Sequence, residues 1–156
     1  MARPFLIAAA ATAALALSST AFAQQSQFGT ADEAKAMLSR AVAAVKVDKA
    51  KALDMFNKGE GGFLDRDLVP FCFNLSDGKH VATQAKQLLG QDVRILKDST
   101  GKAFGEEHYK AAQKPEGQIT EVSYLFPRVG ADTTPIPKVT FVTRVGDLGC
   151  GVGYFK

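Results

Sequence analysis

The chain has 156 residues, with 19 Lys and Arg against 16 Asp and Glu, a net charge of +3, and 46% hydrophobic and 22% charged content. That length suits one domain with one core. The near-balance of charge, with no basic run interleaved with aromatics, excludes a nucleic-acid or membrane-surface role.

Met1–Ala23 reads as a secretory signal. Arg3 supplies the positive start, Phe5–Leu17 is an apolar run carrying only Thr12, and Ala21-Phe22-Ala23 is a small-x-small cleavage site. The run is short of the ~20 residues that span a bilayer. Every later apolar run is broken within a few residues by charge, Gly or Pro, so no span is expected after cleavage. Residues 24–29 are expected to be a short flexible N-terminus, and 30–156 the single folded domain. The expected location is the periplasm.

Thr30-Ala31-Asp32-Glu33 is a capping box, and a helix is predicted from there to about Asn57, ended by Gly59. Ala34, Met37, Leu38, Ala41, Val45, Ala52, Leu53 and Phe56 form its apolar stripe. The stripe weakens at Val47-Asp48, where a kink or break is expected and Asp48 could cap a second helix. Leu68–Leu75 and Lys79–Thr83 read as two strands joined by Asp77-Gly78. A helical turn is predicted at Ala85–Leu89 and a second amphipathic helix at Ala103–Gln113. The C-terminal part reads as three strands: Ile119–Pro127, Lys138–Val145 and Leu148–Phe155.

These elements carry a family resemblance. DRDLVPFCFNLSDGKHVA (Asp65–Ala82) is followed by LLGQDV (Leu88–Val93) and KDSTGKAFGEE (Lys97–Glu107). Then come the V-S-Y-x-F-P, PK-V-x-F-V and G-V-G-Y-F runs of the last strands. In that order they resemble the single Cache domains, second type, of bacterial extracytoplasmic sensing. The resemblance covers about Thr30 to Lys156. It implies an α+β fold: a PAS-like antiparallel five-stranded sheet, a long N-terminal helix on one face and a small-ligand pocket on the other. It implies a stand-alone exported sensor module for a small organic acid or amino acid. The implied partner is a membrane-bound receptor or another periplasmic protein. The alternative is a structural or accessory periplasmic subunit whose pocket is vestigial. The chain departs from the family at Thr83 and Gln84-Ala85-Lys86, where a histidine and an Asn-Pro are common, so the ligand's identity stays open.

Cys72 and Cys150 are the only cysteines, and in an oxidising compartment a lone pair is a disulfide candidate. The sequence does not bring them together. The resemblance does, because in PAS-like sheets the first and last strands are neighbours. The alternative is two buried thiols.

No catalytic set is visible, so no enzyme activity is expected. No cofactor motif is present either: Gly149–Gly153 resembles a phosphate-binding run only in composition, since no helix follows it. His80 and His108 are the only histidines, and no metal-ligand spacing exists. His80 reads as a pocket wall, and His108 as part of a solvated helix face. The stronger constellation is Tyr124, Phe126, Lys138 and Thr140. If the first two C-terminal strands form a hairpin, 124 and 126 lie near 140 and 138 and share one face. That gives an aromatic wall, a hydroxyl and an ammonium that a ligand carboxylate would satisfy. At a strand end Lys138 could instead snorkel to water. Arg128 is the nearer second cation, because Arg144 is too far along the strand.

Overall fold

The computed structural model describes residues 27–128 and 132–156. The expected signal segment lies outside the described residues. The N-terminal helix comes as two pieces, α1 (Ala31–Val47) and α2 (Lys49–Lys58). Thr30 and Glu33 form the capping box at the start of α1. Asp48 breaks the helix with an extended backbone, and its side chain accepts from Lys51 N–H to start α2. Gly59 ends α2 in the left-handed region, φ 71°, which a glycine enters without a Cβ penalty.

The strands are β1 (Pro70–Asn74), β2 (His80–Ala82), β3 (Thr120–Pro127), β4 (Pro135–Val145) and β5 (Leu148–Phe155). They form one antiparallel sheet in the order β2-β1-β5-β4-β3. Pro70 opens β1, where a missing N–H is tolerated. Two 3₁₀ turns, Lys86–Leu88 and Val93–Ile95, and the helix α3 (Phe104–Ala112) lie between β2 and β3. The α+β architecture with a five-stranded antiparallel sheet is therefore the expected one. β4 begins earlier than its β-branched run, because Pro135–Pro137 continues the pairing to Pro127.

Strand alternation divides the core in two. On one face Cys72, Val139, Phe141, Val145, Leu148, Cys150 and Val152 pack against Met37, Leu38, Ala41, Ala52 and Phe56 of α1 and α2. On the other, Phe73, Val122, Tyr124 and Val142 pack against Phe104, Ala111 and Ala112 of α3 and against Val93. Among the described residues no helix is long and apolar enough to cross a membrane.

Cys72 and Cys150 are direct cross-strand partners in the middle of the sheet, with Cα atoms 4.1 Å apart, and they form a disulfide. Both are fully buried under the α1 layer. The pair closes a separation of 78 residues, for which the chain-entropy description assigns about 4–5 kcal/mol. Replacing both cysteines by alanine should therefore lower the unfolding free energy by about 4 kcal/mol in urea titrations. A loss below about 1 kcal/mol would mean that the bond contributes little beyond packing.

Candidate functional site

The α3 face of the sheet is paved with rings, and the reason lies in β5. Gly149, Gly151 and Gly153 point to this face, while Leu148, Cys150 and Val152 point to the α1 core. A Cβ at Gly149 would sit 2.4 Å from Phe73 Cζ and 2.5 Å from Ala112 Cβ. At Gly151 it would sit 2.7 Å from Phe71 Cζ. At Gly153 it would sit 2.6 Å from Lys138 Cε and 2.7 Å from Thr140 Oγ1. The missing side chains thus let two phenylalanine rings, α3 and the lysine stem lie directly on the strand.

Tyr124, Phe126, Lys138 and Thr140 do share this face. The hairpin register differs from expectation by two residues: Tyr124 lies opposite Lys138, Phe126 opposite Ile136 and Val122 opposite Thr140. A shift of two keeps every side chain on its face. Thr140 is fully buried, and its hydroxyl shares a 2.8 Å hydrogen bond with that of Tyr124. Burial pushes the Tyr124 phenol up to about 12, so it remains a neutral donor or acceptor.

Lys138, on the same face, is intermediate in exposure. Its ammonium lies 4.6 Å from the Phe155 ring centroid and 5.0 Å from that of Phe126. Among the described residues no carboxylate is within ion-pair distance of it. Desolvation lowers its pKa to about 8, with the more distant Asp67 pulling the other way. Arg128 is the neighbouring cation. It stands over Phe28 at 3.6 Å and over Phe155 at 4.9 Å, and its Nε is buried without a hydrogen-bond partner.

A groove of about 280 Å³ reaches the site from the β3 edge, lined by Asp98, Lys102, Ser123, Tyr124, Leu125, Pro137, Lys138 and Lys156. Of the expected ligand residues, Tyr124 and Lys138 line it; Phe126, Thr140, Arg128 and His80 do not. Asp98 is structural here. Its carboxylate accepts from Thr100 and from the backbone N–H of Thr100, Lys102 and Leu125, which holds its pKa at about 2.

The histidines divide differently from the sequence reading. His80 is buried, as a wall residue would be, and its Nδ1 meets the Gln91 carbonyl at 3.1 Å. Burial lowers its pKa. His108 is not on a solvated face. It is 2% exposed and packs 5.4 Å from each of the Phe71, Phe104 and Tyr124 ring centroids. Desolvation pushes its pKa to about 3, reinforced by nearby cationic groups, and its Nε2 has no partner. The signal was present in the sequence: Phe104, His108, Ala111 and Ala112 recur at helical spacing, and they are the buried stripe of α3. The aromatic residues Phe71, Phe73, Phe104 and Phe155 and the orphaned Asp67 Oδ2 were also missed. Among the described residues no group of three or more His, Cys, Asp or Glu side chains could hold a metal ion.

No family model and no curated protein matches this sequence. Solved structures do match. A methyl-accepting chemotaxis protein from Vibrio parahaemolyticus superposes with a TM-score of 0.60 at 22% identity, over 80% of this chain and 86% of that one. The periplasmic sensor domain of a chemotaxis protein gives 0.58 at 23% identity, over 80% and 88%. A Cache chemosensory domain described by its recognition of carboxylic acid gives 0.56 at 20% identity, over 78% and 84%. The fold is that of these sensor domains.

Burial of neutral His108 makes a testable demand on stability. Its folded pKa is about 3 against 6.5 in the unfolded chain, so the unfolded state takes up the proton first as pH falls. Its stabilising effect is complete above pH 6.5 and is lost as pH falls toward 3. Between pH 6.5 and 4.5 that amounts to about 2 kcal/mol. His108→Leu should flatten this limb in denaturant titrations at stepped pH. An unchanged slope would show that His108 is not the group being titrated.

Proposed function

We propose that this chain is an extracytoplasmic sensor module that holds a small carboxylate at Lys138 and passes its occupancy to a separate protein. The observation that carries the reading is the Lys138 ammonium, seated among rings with no anionic partner and with its pKa drawn down to about 8. Burying a cation without a counter-charge is costly, and an incoming carboxylate would relieve that cost. Tyr124 stands opposite Lys138 and offers a hydroxyl already shared with Thr140. The groove reaches both Tyr124 and Lys138. Phe126, whose ring the Lys138 ammonium faces, and Arg128, which shares the Phe155 ring with it, are the nearest wall and second cation; His80, on the far edge strand β2, lies outside this set. The structural neighbours are sensor domains, one of them described by carboxylic acid recognition, which supports the class of ligand. The reading carries no catalytic step and no cofactor.

A second reading has its own observation. Phe71, Phe104, His108, Tyr124 and Phe126 already touch one another across the α3 face. That packing favours an accessory subunit with a vestigial pocket.

Calorimetry against acetate, propionate, pyruvate and lactate separates the two. A charge-assisted contact contributes roughly 1.5–3 kcal/mol, so Lys138→Met should weaken binding about ten- to a hundredfold. Binding should be strongest below pH 8 and should weaken as pH rises through about 8, because the free protein then loses the ammonium. If no acid binds, the accessory reading stands. If acids bind with no dependence on Lys138 or on pH, the anion site lies elsewhere.

Residues 1–23 are proposed to be removed on export. Intact mass of the exported protein should correspond to a start at Gln24. A mass beginning at Met1 would refute cleavage.

A further inference from the structure

Several lysines of this chain lie at the surface in ion pairs: Lys46 with Glu116, Lys49 with Asp147, Lys58 with Asp54 and Lys102 with Glu107. Lys138 has no such partner among the described residues; its Nζ stands against the rings of Phe155 at 4.6 Å and Phe126 at 5.0 Å. A hydroxyl pair adjoins its stem. A Cβ built at Gly153 would lie 2.6 Å from Lys138 Cε and 2.7 Å from Thr140 Oγ1, so these two atoms flank one vacant position. Thr140 Oγ1 is in turn 2.8 Å from the Tyr124 hydroxyl. The two hydroxyls carry two protons and use one between them, which leaves one O–H to donate. Tyr124 and Lys138 both line the groove of about 280 Å³, so a small molecule seated there lies next to both side chains.

We propose that Lys138 is a covalent capture site for a small aliphatic aldehyde or ketone, with its amine as nucleophile and the Tyr124–Thr140 hydroxyl pair as donor to the carbonyl oxygen. This goes beyond the carboxylate reading and does not need it, since the same lysine acts as a neutral amine and the ligand carries no charge. Lysines desolvated in an apolar seat are nucleophiles of this kind. Desolvation has brought the Lys138 pKa down to about 8. About a tenth of it is therefore amine at pH 7, against roughly one part in three thousand for an ordinary lysine. The Nζ lone pair adds to the carbonyl carbon, and the C=O π pair moves to oxygen, which takes a proton. Nζ gives up both its protons, the oxygen leaves with two as water, and a C=N bond remains. One amine and one carbonyl become one imine and one water, with no oxidant or reductant. The surrounding rings hold water away, which favours this dehydration. Addition of water reverses it, so the ligand is released as its concentration falls.

The test is incubation of the whole folded protein with acetaldehyde and sodium cyanoborohydride, which reduces the imine to a stable secondary amine, followed by intact mass and peptide mapping. Mapping separates Lys138 from the chain's α-amino group, whose ordinary pKa is also about 8. Lys58 is the reference, because its hydrogen bond to Asp54 raises its pKa. At pH 7 Lys138 should be labelled at least about tenfold faster than Lys58. That ratio should shrink by about tenfold or more at pH 10, where the exposed lysine also becomes amine. Lys138→Arg keeps a cation against the rings and should lose the fast adduct. The double variant Tyr124→Phe, Thr140→Val should slow labelling of Lys138 about tenfold or more, with the pH dependence of the ratio unchanged. Labelling of Lys138 no faster than that of Lys58, or a ratio flat with pH, overturns the inference and leaves the carboxylate reading to its own calorimetry. A fast adduct that persists in Lys138→Arg lies on another amine and overturns it as well. An unchanged rate in the double variant overturns the role given to the hydroxyl pair. The wild-type ratio decides the role of the amine by itself, so the test holds if a variant does not fold. Labelling of Lys138 in a protein that binds no acid upholds this inference without the carboxylate reading.

Discussion

The central strand β5 has to serve two neighbours that want opposite things, and the rest of the molecule follows from that. Toward α1 it presents Leu148, Cys150 and Val152, all fully buried. These supply apolar area and the disulfide to β1. Toward α3 it presents three glycines in alternation. Glycine in a strand interior costs backbone entropy and packs nothing. Here that cost is offset by what it admits, since the rings of Phe71 and Phe73 and the stem of Lys138 occupy the volume the side chains would have filled. A bulky β5 would give an ordinary two-sided core. The bare one gives a ring-lined face with a lysine laid into it. The disulfide lies on the opposite side of the sheet and fixes β1 against β5, so the two phenylalanines of β1 are held over those glycines.

The same end of the sheet is tied to the start of α1. Arg66 sits at φ 57°, uncommon for a residue with a Cβ. It is held there by its ion pairs to Glu33 and Asp65 and by donating to the Phe28 carbonyl. Glu33 is also the capping-box residue of α1, and Asp67, next to Arg66, binds Gly29. A Cβ at Gly29 would lie 2.2 Å from Leu68, so the lead-in packs hard against the loop before β1. Arg128, over the Phe28 ring, is thereby joined through the Phe28 carbonyl and Arg66 to Glu33 at the start of α1.

Much of this was legible in the sequence because it is local chemistry. The capping box, the break at Asp48 and the limits of β5 follow from residue types at fixed spacing. The faces of β3 and β4 were legible for the same reason, since alternation survives any even slip. The hairpin register was not. The expected pairing assumed that β4 starts with its β-branched run at Lys138, yet three residues of Pro-Ile-Pro extend it back to Pro135. Register depends on the length of the turn, and no propensity reports that. His108 was misplaced for another reason. A histidine on a helix flanked by Glu106 and Glu107 looks solvated by composition, and only the i, i+4, i+7 count from Phe104 shows it facing inward. The unsatisfied atoms of Asp67 and Arg128 were beyond reach, because burial without a partner is set by the folded packing and not by residue type.

The seat of Lys138 also limits how strongly this site can hold anything. A desolvated cation–π contact is worth about 2 kcal/mol, comparable with the roughly 1.5–3 kcal/mol of a charge-assisted hydrogen bond. An incoming carboxylate must approach without displacing the ammonium from Phe126 and Phe155, or much of what it gains is returned. The groove lies beside Tyr124 and Lys138. A small ligand can add its ion pair to the existing cation–π contacts, whereas a bulky one has to separate stacked rings such as Phe104 and Tyr124, 4.1 Å apart. On the proposed reading, the packing of the face would therefore select for size before charge selects for chemistry.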